Sequence, residues 1–325
     1  MTVRQVVVKI GADISSLRAN LRAGGQSVRS FAGELDKAAK EGSLDRVTNQ
    51  AGALGLGLAG VALGAVKMRM DFDKSMSAAA AATKASAQEV RALEAAAIEA
   101  GKSTQYSAKE AADAITELGK AGVSTKNILK GGLQGALDLA AAGQIGVAEA
   151  AETAASAMTQ FGLSGDKVPH IADLLAAAAG KAQGGVSDMG YALKQSGLMA
   201  NQFGLTVEDT TGVLAEFASA GLIGSDAGTS LKTMLSMLAN PTKQSRELMK
   251  ELGLTFYDTA GKFIGVEGVA GELQTRLKYL TQEQRNQALS QIFGNDAIRA
   301  ASILYTDGAA GAKKWHDAVN DSGFA

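Results

Sequence analysis

Cysteine is absent from this 325-residue chain. That excludes disulfides and thiolate metal sites, and it leaves the redox compartment open. Proline occurs twice and histidine twice, at His170 and His316, far apart in sequence. Aromatic residues make up only 5%. Charge of neither sign prevails: 32 Lys+Arg face 33 Asp+Glu, so nothing draws the whole chain toward nucleic acid or an acidic partner. Met1 to Asp13 alternates polar and apolar residues without a cleavable hydrophobic run, so no signal peptide is expected. No nucleophile elbow, P-loop, dinucleotide fingerprint, HExxH or EF-hand loop is present. The reading is of a non-enzyme with no catalytic, cofactor or metal residues.

Alanine and glycine fill the space left by these absences. The 39 glycines lie well above the usual ~7%. This composition suits helices packed through small residues and broken often. The stretch Gly204 to Asn240 is the clearest example: helix, glycine turn, helix. Thr206 is the expected N-cap, with Asp209 three residues on where the formal capping box asks for Glu or Gln. Val213, Leu214 and Phe217 form an apolar face. Gly221 and Gly224 stop the first helix, and the second, carrying Leu231, Met234, Leu235 and Leu238, ends at Asn240-Pro241. Ser107 to Gly122 aligns on Thr206 to Gly221 without gaps. Glu110 falls on Asp209, Glu117 on Glu216, Leu118 on Phe217, and Ala121-Gly122 on Ala220-Gly221. Weaker relatives open at Val147 and Val186. A helical hairpin of about 40 residues therefore recurs.

The fold class expected is mainly α: an irregular bundle of helical hairpins, with a short N-terminal strand over Val3 to Ile10 and a small β-hairpin near 254–264. Residues 1–45 hold that strand and a heptad-patterned helix. Its seam, Ile14, Leu17, Leu21, Val28, Phe31 and Leu35, either docks an amphipathic helix on its own domain or drives self-association into a homo-oligomer. Residues 46–70 form a Gly/Ala-rich apolar segment. Val47 to Val66 carries no charge, and Gly52, Leu56, Gly60 and Gly64 follow small-xxx-small spacing. A helix buried among protein neighbours, a conditional membrane inserter and a constitutive anchor all fit that run. Residues 71–310 read as one all-helical domain, with helices expected at Asp296 to Tyr305 and again from Lys313. Residues 311–325 read as the start of a region that continues beyond this sequence.

Lone polar residues carry little. His170 follows Pro169 at a helix start and reads as a capping or surface residue. His316 lies between Trp315 and Asp317, and adjacent helical residues point different ways. Glu110, Glu117 and Glu216 read as caps and solvated faces. Lys243, Arg246 and Lys250 share a face but lack interleaved aromatics, so no sequence-specific nucleic-acid contact is expected.

Three segments carry a family likeness. Ser156 to Gly197 (SAMTQFGLSGDKVPHIADLLAAAAGKAQGGVSDMGYALKQSG), Glu216 to Thr242 (EFASAGLIGSDAGTSLKTMLSMLANPT), and the pair LGLTFYDTAGKF and SQIFGNDAIRAASIL resemble, in order, the conserved domain of phage tail tape measure proteins. The likeness covers roughly Asp71 to Asp307. It implies a virion structural protein lying inside the tail tube, setting tail length during tube assembly and released at infection to help DNA through the host envelope. The partners it implies are the tail tube protein, tail tip proteins and tail assembly chaperones, with membrane contact on ejection. Even as one unbroken helix, 325 residues span only about 490 Å. A folded module for assembly or delivery is therefore expected here, rather than the ruler itself. Two other readings stay open: a membrane-active, pore-forming protein, and a non-catalytic helical scaffold or binding module.

Overall fold

Side-chain caps fix where several of the helices begin. The computed structural model of the chain describes residues 56–320, with side chains from residue 66. Helix α1 (Leu56–Thr83) crosses a division between two units that falls at Asp73 and Lys74. Ser86 caps α2 (Ala87–Ser103), and Ser107 caps α3 (Ala108–Lys120). At Ser107 the box is reciprocal: the Glu110 amide donates to Ser107 Oγ at 3.2 Å, and the Ser107 amide to Glu110 Oε2 at 2.7 Å. A short turn at Thr125–Asn127 and a wider one at Ile128–Gly132 lead into α4 (Leu133–Gly143). There follow α5 (Val147–Gln160), α6 (Val168–Lys181), α7 (Val186–Gln202), α8 (Val207–Ser219) and α9 (Gly224–Ala239). The chain closes with α10 (Lys243–Leu252), α11 (Gly265–Leu277), α12 (Gln282–Phe293) and α13 (Ile298–Val319).

The internal repeat is a repeat of geometry as well as of letters. Helices α3 and α8 are both 13 residues long, and both are capped by a hydroxyl with an acid at the third position. Asp209 does the work expected of Glu or Gln, accepting from the Thr206 amide at 3.0 Å while its own amide donates to Thr206 Oγ1 at 3.1 Å. Each helix ends in a glycine of positive φ, Gly122 at 84° and Gly221 at 85°. That conformation lets the next amide reach back, Val123 to the Leu118 carbonyl and Leu222 to the Phe217 carbonyl.

Helices adjacent or next but one in the chain pack on one another: α2 on α3, α3 on α5, α4 on α5 and α6, α5 on α7, and α7 on α9. Helix α8 sits at the centre, against α6, α7, α9 and α13. Every residue from Thr210 to Ala218 is buried, the state expected of a helix enclosed all round. Glycine makes the closest approaches. A Cβ on Gly228 of α9 would lie 2.1 Å from the Ala192 carbonyl oxygen of α7, and one on Gly212 of α8 would lie 2.9 Å from the His316 Cα of α13.

The β-hairpin expected near 254–264 shrinks to a single antiparallel bridge between Tyr257 and Phe263, and no strand occurs among the described residues. The Asp258 amide donates to Lys262 and the Ile264 amide to Phe256, but no neighbouring strand extends the ladder. Side chains pin the loop instead. Phe263 meets Phe203 edge-on at 5.0 Å between centroids, and Phe256 lies 6.1 Å from Phe293. The strand expected over Val3 to Ile10, the seam Ile14, Leu17, Leu21, Val28, Phe31 and Leu35, and Gly52 all lie outside the described residues. Leu56, Gly60 and Gly64 fall in the opening turns of α1. That helix soon gains Lys67, Arg69, Asp71, Asp73 and Lys74. Among the described residues, no helix is long and apolar enough to cross a membrane. Residues 311–319, expected to open a further region, form the last turns of α13, where Ala312 and Val319 are buried.

Candidate functional site

Helix α8 gathers the titratable groups that its neighbours bring to it. Its first turn presents Glu208 and Asp209 at the positive helix end, where negative charge is favoured. His170 Nε2, from α6, lies 2.7 Å from Glu208 Oε1. His316 Nε2, from α13, lies 3.5 Å from Asp209 Oδ1, and its Nδ1 lies 3.3 Å from Asp317. The two histidines of the chain thus meet the same end of the same helix. Sequence spacing hides this, because His170 and His316 are 146 positions apart. His316 also reaches the adjacent Asp317, against the expectation for neighbouring helical positions. Burial alone would push the Glu208 carboxyl up, but the His170 hydrogen bond, its own backbone amide and the Thr206 hydroxyl outweigh it and hold the group below its ordinary value.

Two turns further on the balance reverses. Glu216 is fully buried, and neither carboxylate oxygen has a hydrogen-bond partner. Removal from water, with the like charge of Asp307 on α13 a smaller contribution, pushes its carboxyl from 4.5 up to about 8. Glu216 is therefore held as a neutral acid at pH 7. Its counterpart in the aligned helix, Glu117, is partly exposed and pairs with Lys120 at 2.8 Å. One position of the repeat is a surface ion pair in α3 and a buried acid in α8.

A shallow groove of about 260 Å³ runs between α5 and α7, lined by Glu149, Glu152, Gln160, Ser187, Tyr191 and Lys194 among others. Ser187 hydrogen-bonds to Glu149 at 2.5 Å, and Lys194 lies 3.6 Å from Glu152. Among the described residues, no group of three or more His, Asp or Glu could hold a metal ion. What the α8 surroundings can do is hold and release protons beside a packed helix.

Comparison with known proteins decides the family. The family model described as phage-related minor tail protein matches residues 94–294, from α2 to the end of α12. The chain belongs to this family of phage tail proteins. The phage-related minor tail protein described here is 34% identical over 323 residues to the tape measure protein of Pneumococcus phage Dp-1, which covers 98% of this chain and 28% of that relative. It is 30% identical over 269 residues to the probable tape measure protein of Escherichia phage P2, covering 80% of this chain and 33% of the relative. The chain spans a third or less of the length of these curated relatives. No solved structure matches it. Family membership makes the chain a phage tail component.

Proposed function

We propose that this tail protein works as the packed, non-catalytic module of a tape measure protein, serving assembly or delivery while length is measured elsewhere. The observation that carries the reading is the folding back of the helices. The longest described helix, α1, has 28 residues and spans about 42 Å. From α2 onward, each helix turns back on a neighbour, so the region adds little axial length compared with the ~490 Å of an unbroken helix. In this reading the protein lies inside the tail tube, contacts the tube protein, tip proteins and assembly chaperones, and leaves ahead of the DNA at infection. Likeness to named tape measure proteins supports the setting, and the packed bundle supports the division of labour.

In-frame deletion of residues 94–294 in the encoding phage, followed by electron microscopy of tails, tests this. Tails of normal length that fail to infect, or no tails at all, are expected. Tails shortened by about 300 Å, the helical length of the deleted region, would make the region part of the ruler. Normal infectious particles would remove it from both roles.

A further inference from the structure

Helix α13 is not one rod. Gly308 interrupts it with φ 64° and ψ −171°, a conformation that belongs almost solely to glycine. Gly308 is also buried, and a Cβ there would lie 2.3 Å from Gln274 Oε1 of α11. The break is thus a designed joint between two helical segments. Beyond it, residues 309–319 lie along the central helix α8. At the near end, a Cβ on Gly311 would sit 3.5 Å from Glu216 Oε1, so this segment closes directly over the buried carboxyl. At the far end, Gly212 of α8 admits the His316 backbone, and His316 faces Asp209. Lys181 of α6 donates to the Ala318 carbonyl at 2.7 Å, and Val319 is buried.

We propose that residues 309–319 form a strap that stays docked on α8 only while Glu216, which faces Asp307 across the joint, retains its proton. Asp307 stands immediately before Gly308, so the like charge that Glu216 faces belongs to the joint itself. A charge formed on Glu216 would face the Asp307 carboxyl rather than a cation. The charged groups of the elements packed around α8 include Asp173 and Lys181 on α6, Asp188 and Lys194 on α7, Asp226 and Lys232 on α9, and Arg299, Lys313, Lys314, His316 and Asp317 on α13. Asp307, also on α13, is the charged group that acts on Glu216. Several are engaged elsewhere: Arg299 with Asp226, Lys313 with Asp317, and Lys194 with Glu152. Water is the remaining partner, and lifting the strap is the shortest way to admit it.

The sign follows from the raised carboxyl. Below 4.5 Glu216 is protonated whether buried or open, and docking is strongest. Docking weakens as pH rises, and it is lost as pH passes about 8. The inference concerns the folded chain and stands apart from its role in the tail.

Hydrogen exchange followed by mass spectrometry on the full chain tests it, with rates corrected for the intrinsic effect of pH. Between about pH 6 and pH 9, protection of residues 309–319 should fall by ~tenfold or more while α2 to α5 keep theirs. Glu216→Gln, a neutral side chain of the same shape, should hold strap protection nearly constant over that range. Strap protection that ignores pH, an equal loss in α2 to α5, or a loss that persists in Glu216→Gln would each overturn the proposal. Should Glu216→Gln not fold, Asp307→Asn at an exposed position serves. It should move the loss to lower pH, and an unmoved midpoint overturns the proposal.

Discussion

Glu216→Gln is expected to flatten the alkaline side of the stability curve. In the wild-type chain, a carboxyl lifted from 4.5 to about 8 binds its proton more tightly when folded than when unfolded. Between those values the folded state carries the proton that the unfolded state has lost, so unfolding free energy declines with pH. The full lift corresponds to roughly 4–5 kcal/mol, present below 4.5 and gone once pH passes about 8. Opening of the strap limits that loss, because an ionised Glu216 that reaches water no longer bears the burial cost. Glu208 acts on the other side. Its lowered carboxyl contributes stability at neutral pH that disappears as the medium becomes acid, so the acid limb should survive in the variant. Urea unfolding of both proteins from about pH 3 to pH 9 measures this. Parallel alkaline limbs would mean that Glu216 finds a partner or water in the folded chain.

Gly228→Ala is expected to be among the most damaging single substitutions. Its Cβ would lie 2.1 Å from the Ala192 carbonyl oxygen and 2.8 Å from Gln195 Cβ, and a backbone oxygen cannot move aside by changing rotamer. Helices α7 and α9 would have to separate, exposing part of the apolar face of Leu231, Met234 and Leu235. Overpacking of this kind costs about 3 kcal/mol or more, and a domain of this size would lose roughly 6–12 °C in Tm. Gly271 of α11 is the contrast. A Cβ there meets only Ala309 Cβ at 3.4 Å, an ordinary contact, so alanine at this mid-helix position should leave Tm within a few degrees of the parent or raise it. Thermal scans of the two variants separate the cases. A Gly228→Ala protein as stable as the parent would show that α7 and α9 can part cheaply.

These effects show how far the fold could be read from the chain. Helix ends were legible because they are local chemistry: Thr206 with Asp209, Ser107 with Glu110, and Gly221 each act on amides within a few residues. The repeat was legible for the same reason. The hairpin at Tyr257 was misjudged because turn residues predict a reversal of direction, whereas a strand also needs an edge to pair with, and none lies near. Glu216 was misread as a solvated face because its alignment with Glu117 holds in sequence but not in environment. A signal was present all the same. Glu117 has Lys120 three residues on, whereas Glu216 has Ser219 and is flanked by Val213, Leu214, Ala215, Phe217 and Ala218. An acid inside an apolar run with no cation at helical spacing marks an enclosed helix. The meeting of His170 and His316 at α8 left no such mark, since it depends on how α6 and α13 pack.

The central functional claim is that this region is a packed module and not a length of ruler. In-frame duplication of residues 94–294 in the encoding phage tests it most directly, because one intact copy remains to start assembly. Tail lengths in electron micrographs are expected to match those of the parent phage. Tails longer by about 300 Å, the helical rise of the added residues, would contradict the account.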